Sequence, residues 1–334
     1  MAPAPMNVSA YVPAFRDQLA DLRILVVGDL MLDRYLWGRV TRISPEAPVP
    51  IVDVEARDNR PGGAANVALN IAGLGAQVSL AGTVGQDDEG EILLHLLEDA
   101  GFATELILRT HPRPTTTKTR VIGNNQQILR VDREVRDPLP DADRAQLYAQ
   151  ITAQIGDCDA IIFEDYDKGV LTPELIGQLT ERARAQAIPT VVDPKYRNFL
   201  AYRGVTVFKP NLKELNEALS LRLDKADLEG IRRAIGELRD KMPHHGTLIT
   251  LSENGVLAVD EHLRAHHVPA HYRKIADVSG AGDTVVALMG IAMARKIPLA
   301  EAAAIANLAG GLVCEEVGVV PINKARLLEE MQDL

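Results

Sequence analysis

What this chain lacks narrows it first. Its only cysteines, Cys158 and Cys314, lie far apart and outside any C-x-x-C spacing. A disulfide framework and a zinc–cysteine site are therefore not expected, and a reducing compartment is the simpler setting. Positive charge is short as well: 36 Lys and Arg face 46 Asp and Glu, for a net charge of -10. That balance argues against nucleic acid or an anionic membrane as the partner, while leaving room for a local basic cluster. No apolar run reaches the roughly 20 residues of a membrane span. The longest, 284–294, stops at Arg295-Lys296. The N-terminus, Met1-Ala-Pro-Ala-Pro-Met-Asn7, has no apolar signal core, so the expected location is cytoplasmic.

Several nucleotide and metal signatures are also missing. No G-x-x-x-x-G-K-[ST] occurs, which excludes a P-loop, and neither H-R-D nor D-F-G of the protein kinases is present. Gly73 and Gly75 follow a helical pattern without the third glycine of a dinucleotide fingerprint. His244, His245, His262, His266, His267 and His271 lack H-E-x-x-H spacing and read as solvated surface rather than metal ligands.

What is present describes a soluble globular chain: 334 residues, 46% hydrophobic and 25% charged, enough to bury a full core. Strand-like apolar runs at 24–27, 77–81, 160–163, 190–192, 205–208 and 247–251 alternate with helical patterns. The helical patterns cover 64–74, 89–99, 141–155, 173–186, 213–219, 228–241, 284–294 and 299–313. Such alternation predicts a doubly wound, mostly parallel α/β sheet with helices on both faces. Segments of about 35–55 and 115–134 break the rhythm with strand periodicity, the second as a hairpin turning at Gly123-Asn124-Asn125. They predict a small β-strand lid on a single domain spanning 1–334, with no internal repeat and no dividing linker.

The most informative stretch is Asp277-Val-Ser-Gly-Ala-Gly-Asp283-Thr284, followed by an apolar helix. A helix start exposes unpaired N–H groups and the positive end of its dipole. Gly280, Ala281 and Gly282 let an anion approach those donors, and Asp283 is placed to take a proton from an attacking hydroxyl. An ordinary helix turn with an N-terminal acid fits the same eight residues. Arg60-Pro-Gly62-Gly63-Ala-Ala-Asn66 offers close backbone approach and an amide for sugar hydroxyls, or else a glycine-rich helix start. Asp33, after the first strand, reads as a hydroxyl grip or a cap. Asn211 and Glu214 sit three apart at a helix start. They suit either magnesium with nucleotide phosphates or a capping box.

Together these residues resemble the ribokinase-like (PfkB) carbohydrate kinases. Gly62-Gly63-Ala-Ala-Asn66, Asn211-x-x-Glu214 and Asp277-Val-Ser-Gly-Ala-Gly-Asp283 stand in that family's order and cover nearly the whole chain. The resemblance implies ATP and Mg²⁺, Asp283 as base and Gly280-Ala281-Gly282 as anion hole. It also implies magnesium held through water by Glu214, and leaves a monovalent cation as an open addition. Leu212, Lys213, Lys195, Ser252, Gly255 and Asn307 would lie with Asn211 and Glu214 near ATP.

Finer matches, among them Arg42-Ile-Ser-Pro-Glu-Ala-Pro, Thr115-Thr-Thr-Lys-Thr-Arg120 and Asp165-Tyr-Asp-Lys-Gly169, look like one subfamily. It phosphorylates D-glycero-β-D-manno-heptose 7-phosphate at the anomeric hydroxyl in the bacterial ADP-heptose pathway. No H-x-G-H nucleotidyltransferase motif occurs, so the resemblance is to the stand-alone kinase. The alternatives are a kinase for another sugar or sugar phosphate, or a catalytically silent sugar-binding regulator. Asp33, Gly62, Gly63 and Asn66 would hold the sugar. Lys118 and Arg120 alternate on one strand, so they share a face suited to the sugar's phosphate, with edge-strand charge as the plainer role. Arg42 and Lys168 are further cations of this kind. Where a serine is expected before Asp165-Tyr166 stands Glu164, which leaves open whether Glu164 or Asp165 meets the sugar. Exposed lid edges and Tyr35-Leu36-Trp37 suggest a homodimer through the lid.

Overall fold

A computed structural model describes residues 7–333. The N-terminal segment 1–6, read above as lacking a signal core, lies outside the described residues. In chain order the strands are β1 (Arg23–Gly28), β2 (Leu30–Ile43), β3 (Pro50–Gly63), β4 (Gln77–Gly85), β5 (Ile107–Thr110), β6 (Thr117–Gly123) and β7 (Gln126–Arg133). They continue with β8 (Ala160–Glu164), β9 (Thr190–Asp193), β10 (Val207–Phe208), β11 (Gly246–Thr250), β12 (Val256–Val259) and β13 (Ala265–Val268). The helices are α1 (Val12–Asp17), α2 (Ala64–Leu74), α3 (Asp88–Asp99), α4 (Asp141–Gln154), α5 (Pro173–Ala185), α6 (Leu212–Leu219), α7 (Leu228–Lys241), α8 (Ala281–Ala294), α9 (Leu299–Val313) and α10 (Lys324–Gln332).

One sheet runs in the order β13-β12-β11-β10-β9-β8-β1-β4-β5. It is parallel from β11 to β5, and β12 and β13 add antiparallel neighbours at one edge. Central strands with both faces covered need apolar side chains on both. Residues of β1 accordingly alternate between two cores: Ile24 and Val26 pack with α1, α2, α3, α8, α9 and α10, while Leu25 and Val27 pack with α4, α5, α6 and α7. This is the doubly wound arrangement expected from the sequence.

A second sheet, β3-β2-β6-β7, forms the lid. It has no flexible connection to the core: a single residue, Asp29, separates β1 from β2, and β3 runs straight into α2. The hairpin between β6 and β7 turns at Asn124 and Asn125, both left-handed with φ of 52° and 64°. Two left-handed residues in a two-residue loop match the strand twist of a hairpin.

One helix, one strand and one histidine depart from what the sequence suggested. The apolar helix starts at Ala281 rather than residue 284, which draws Gly282 and Asp283 into its first turn. The strand expected at 205–208 pairs regularly only over Val207–Phe208, although Thr206 still donates to Thr190. The histidines do not all sit at the surface. His244 is buried against Phe208, with its ring nitrogens bonded to the Met242 carbonyl and the Thr247 hydroxyl. Burial drops its pKa to about 4, so it is a neutral core residue.

Candidate active site

Three adjacent parallel strands end at one spot, and alternation decides what each delivers there. On β8, Ile162 packs toward α8 and Phe163 away from it, so Glu164 returns to the α8 side. On β9 the same count through Val191 and Val192 brings Asp193 to that side, and on β10 Val207 and Phe208 bring Lys209. The strands are in register, with Glu164 opposite Asp193 and Phe208 opposite Val192. A row of Glu164, Asp193 and Lys209 therefore lines the carboxyl edge of the sheet, where parallel α/β folds bind ligands.

Asp165 goes to the other face for the same reason. Its carboxylate accepts from the Asp167 N–H (2.8 Å), Asn198 Nδ2 (3.1 Å) and the Tyr202 hydroxyl (2.8 Å). Burial and the nearby Asp29 push its pKa up to about 7. Of the two acids considered for the sugar, Asp165 is thus committed to the opposite side of the sheet, and Glu164 faces the site.

Asp283 completes the row from above. Gly280 caps α8 with a φ of 82°, a left-handed turn that favours glycine, and Asp283 is the third helical residue. The helix start leaves N–H groups near Gly282 without intrahelical acceptors. A Cβ on Gly282 would lie 3.6 Å from Asp193 Oδ2 and 3.8 Å from Lys209 Nζ, so a cation stands beside a helix start of the kind that can bind an anion. The Asp283 carboxylate is buried; Oδ2 accepts from Asn66 Nδ2 at 2.6 Å and Oδ1 from the Tyr166 hydroxyl at 2.7 Å. Burial raises its pKa to about 6 against the pull of those two donors.

Glu164, Asp193 and Asp283 place one oxygen each within 4.8 Å of one another. Asp193 is compensated by Lys209 Nζ at 2.8 Å and Lys195 Nζ at 3.5 Å. Although burial opposes its charge, the two lysines hold Asp193 below the usual carboxylate range. Glu164 is different: fully buried, it has no hydrogen-bond partner at either oxygen among the described residues, and burial plus its acidic neighbours push its pKa well up. Orphaned buried oxygens of this kind are costly unless something is bound to them.

The row leads into the residues expected around ATP. Lys195 Nζ donates to Glu214 Oε1 at 2.9 Å, and the Asn211 N–H donates to Glu214 Oε2 at 2.9 Å. Asn211 Oδ1 accepts from the Glu214 N–H at 2.8 Å, so the capping box is formed. Both Glu214 oxygens are therefore engaged, and the unpartnered carboxylate nearby is that of Glu164. Leu212 is buried at the start of α6, whereas Lys213 points to solvent beside Glu217. Ser252, with a φ of 54°, begins a short 3-10 turn, Ser252–Asn254, capped by Gly255 with a φ of 81°, whose Cα lies close against the backbone of 268–270. Asn307 Nδ2 donates to the Pro269 carbonyl in that same segment.

The lid supplies the opposite wall. Asp33 and Lys118 are register neighbours on β2 and β6, as are Tyr35 and Arg120. Arg120 pairs with Asp33, and a Cβ on Gly62 would fall 2.1 Å from Asp33 Oδ2, so only glycine permits this approach. Gly63 is the N-cap of α2, whose third residue is Asn66. Among the described residues Lys118 has no carboxylate within ion-pair distance of its ammonium. Burial lowers its pKa, as expected of an uncompensated cation. Arg42 lies at the exposed far end of the lid, 3.9 Å from Asp53, and Lys168 pairs with Glu134 at 2.9 Å. Arg42 is thus remote from the site, whereas the buried Lys168 lies near enough to Lys118 for its charge to add to burial in lowering that ammonium's pKa.

Asp193, Lys209 and Tyr166 were not singled out from the sequence. A signal existed for the first two: the runs 160–163, 190–192 and 205–208 are each followed at once by a charged residue, and parallel strands bring such ends together.

The profile of the pfkB family carbohydrate kinases matches residues 21–326. The bifunctional protein HldE of Methylobacillus flagellatus is 45% identical over 310 residues, covering 92% of this chain but 63% of that protein. The chain thus spans less than two thirds of that relative's length. Escherichia coli phosphofructokinase-2 in complex with potassium superimposes with a TM-score of 0.75 at 21% identity, covering 93% of this chain and 99% of that one. Arabidopsis thaliana ribokinase complexed with ribose and ATP gives 0.73 at 16% identity, covering 92% and 99%. At these identities the structural likeness establishes the ribokinase-like fold.

The buried carboxyl of Asp283 should titrate near pH 6, read by carbon-13 NMR of its side chain. Asn66→Ala removes a donor to the charged form and should move the midpoint upward. An unmoved or lowered midpoint would contradict the hydrogen bond's role in holding the carboxylate ionised.

Proposed function

Because this chain belongs to the pfkB family of carbohydrate kinases, we propose that it transfers the γ-phosphoryl group of ATP to the anomeric hydroxyl of D-glycero-β-D-manno-heptose 7-phosphate. The product is then the 1,7-bisphosphate. The observation that carries the reading is the buried Asp283 carboxylate beside the Gly280–Gly282 turn, faced from the lid by an uncompensated Lys118. The likeness to HldE and the lid motifs support heptose 7-phosphate over other sugar phosphates.

In this mechanism Asp33, Gly62, Gly63 and Asn66 hold the sugar hydroxyls, with Glu164 as a further acceptor on the sheet side. Lys118 and Arg120 meet the 7-phosphate. Asp283 takes the proton of the anomeric hydroxyl as its oxygen bonds to the γ-phosphorus. The bond from that phosphorus to the β,γ-bridging oxygen breaks, and ADP leaves. N–H groups of the Gly280–Gly282 turn, with Lys209 beside them, stabilise charge on the transferring group.

The residues fit the Mg²⁺ that such a reaction uses. Hard carboxylate oxygens suit it, and Glu164 has two without partners next to Asp193, while Glu214 can act through water. When bound, the ion neutralises phosphate charge. Lys195, Asn211, Leu212, Lys213, Ser252, Gly255 and Asn307 remain the nucleotide side of the site. The potassium in the E. coli phosphofructokinase-2 complex supports adding a monovalent cation to assays.

The outer lid strand β7 is exposed along its length and shows Ile128, Leu129 and Val131, with Ile43 and Val54 also exposed on the lid. Such apolar exposure supports a homodimer through the lid.

Incubation with ATP and heptose 7-phosphate should yield the 1,7-bisphosphate by mass spectrometry and phosphorus NMR. Asp283→Asn should lower kcat by about a thousandfold while ATP still binds; near-normal turnover would remove the base. Lys118→Ala should raise KM for the sugar phosphate about tenfold and leave that for ATP nearly unchanged. An unchanged sugar KM would move the phosphate site elsewhere. Light scattering should report twice the chain mass, and a charge on β7, such as Leu129→Glu, should give monomers; a wild-type monomer would remove the lid dimer.

A further inference from the structure

Tyr166 has no part in the transfer as described, yet it touches each of its parts. Its hydroxyl donates to Asp283 Oδ1 at 2.7 Å. The ammonium groups of Lys118 and Lys195 lie 5.0 and 5.3 Å from the centroid of its ring. Lys118 belongs to the lid, and Lys195 follows β9 on the nucleotide side. One aromatic side chain therefore joins the base, a cation assigned to the sugar phosphate and a cation assigned to ATP. A cation over an aromatic face is attracted by the ring quadrupole, more strongly where water is excluded.

The backbone beneath Tyr166 is fixed with unusual thoroughness. Asp29 Oδ2 accepts from the Tyr166 and Lys168 N–H groups at 2.8 and 3.0 Å, and Oδ1 from that of Val170 at 3.2 Å. On the other side of the sheet, Asp165 grips the Asp167 N–H at 2.8 Å. Burial and the neighbouring acids Asp283 and Glu164 keep the phenol well above its ordinary pKa, so it stays a donor. A residue that merely filled space would need neither this clamp nor a hydroxyl aimed at a carboxylate.

Resting on the reading of Asp283 as the base, we propose that Tyr166 is a positioning residue. Its hydroxyl holds the Asp283 carboxylate in the orientation that accepts the proton. Its ring sets where the Lys118 and Lys195 ammonium groups meet the two phosphorylated substrates.

Steady-state kinetics on the full chain, with ATP and whichever sugar phosphate the wild type turns over, separate the two parts. Tyr166→Phe keeps the ring and loses the hydroxyl; kcat should fall about tenfold or more with both KM values within about twofold. Tyr166→Leu removes the ring as well, and both KM values should then rise by about threefold or more. Tyr166→Met replaces it if the leucine variant does not fold by circular dichroism. A Phe variant with wild-type kcat overturns the hydroxyl's role, and a Leu or Met variant with unchanged KM values overturns the ring's. Asp283→Asn in the same assay keeps the two ideas apart. If it is inactive while Tyr166→Phe is normal, this inference alone fails; if it is active, the reading of Asp283 fails first.

Discussion

The register of the parallel strands at their carboxyl edge is the constraint on which the site depends. Side chains along a strand alternate, so which residue ends up over the edge is settled by counting from the core. On β8, β9 and β10 the count places Glu164, Asp193 and Lys209 on the face covered by α8. A slip of one residue on β8 would exchange Glu164 with Asp165, taking a carboxylate out of the site and stranding another in it. The apolar cores on both faces enforce the register, because the same slip would turn Ile162 and Phe163 toward the wrong partners.

Charge in that row is kept together by compensation rather than by solvent. Three carboxylates within 4.8 Å of one another would repel strongly in a buried setting. Lys209 and Lys195 offset Asp193, and Asn66 and Tyr166 stabilise Asp283 by hydrogen bonds. Of these three carboxylates, Glu164 is the one without a partner among the described residues. The site therefore holds an uneven distribution of compensated and uncompensated charge: among the described residues Glu164 has no hydrogen-bond partner, and the Lys118 ammonium on the facing wall lies over the Tyr166 ring but pairs with no carboxylate. Groups that bind ligands are commonly those that the fold leaves incomplete.

Much of this was legible in the sequence. The helices at 64–74, 228–241 and 299–313 match α2, α7 and α9 to the residue, because their apolar spacing is long and regular. The Asn124-Asn125 turn was legible because few residues other than Asn and Gly tolerate the left-handed region. The strands β12 and β13 were not, since four-residue segments carry too little periodicity to separate from a loop. The motifs named Asp283, Asn66, Asn211 and Glu214, but not that Asn66 bonds Asp283 or that Lys195 bonds Glu214. Those contacts join residues that are distant in the chain, and spacing holds no record of them. Glu164 and Asp165 show the limit most clearly: they are adjacent letters of the same chemistry, and only the burial of Phe163 on one face separates their fates.

The lid and the strand-end row belong to different sheets, joined through Asp29 on one side and the β3–α2 junction on the other. Asp33, Gly62, Lys118 and Arg120 ride on the four-stranded sheet, whereas Glu164, Asp193 and Lys209 are fixed in the nine-stranded one. Asp33, Lys118 and Arg120 are not among the core residues, although Leu30 and Leu32, beside Asp33 on β2, are. The two walls of the candidate site are therefore held by separate hydrogen-bond networks, so a displacement of the four-stranded sheet would shift its charged groups as a set relative to the strand ends.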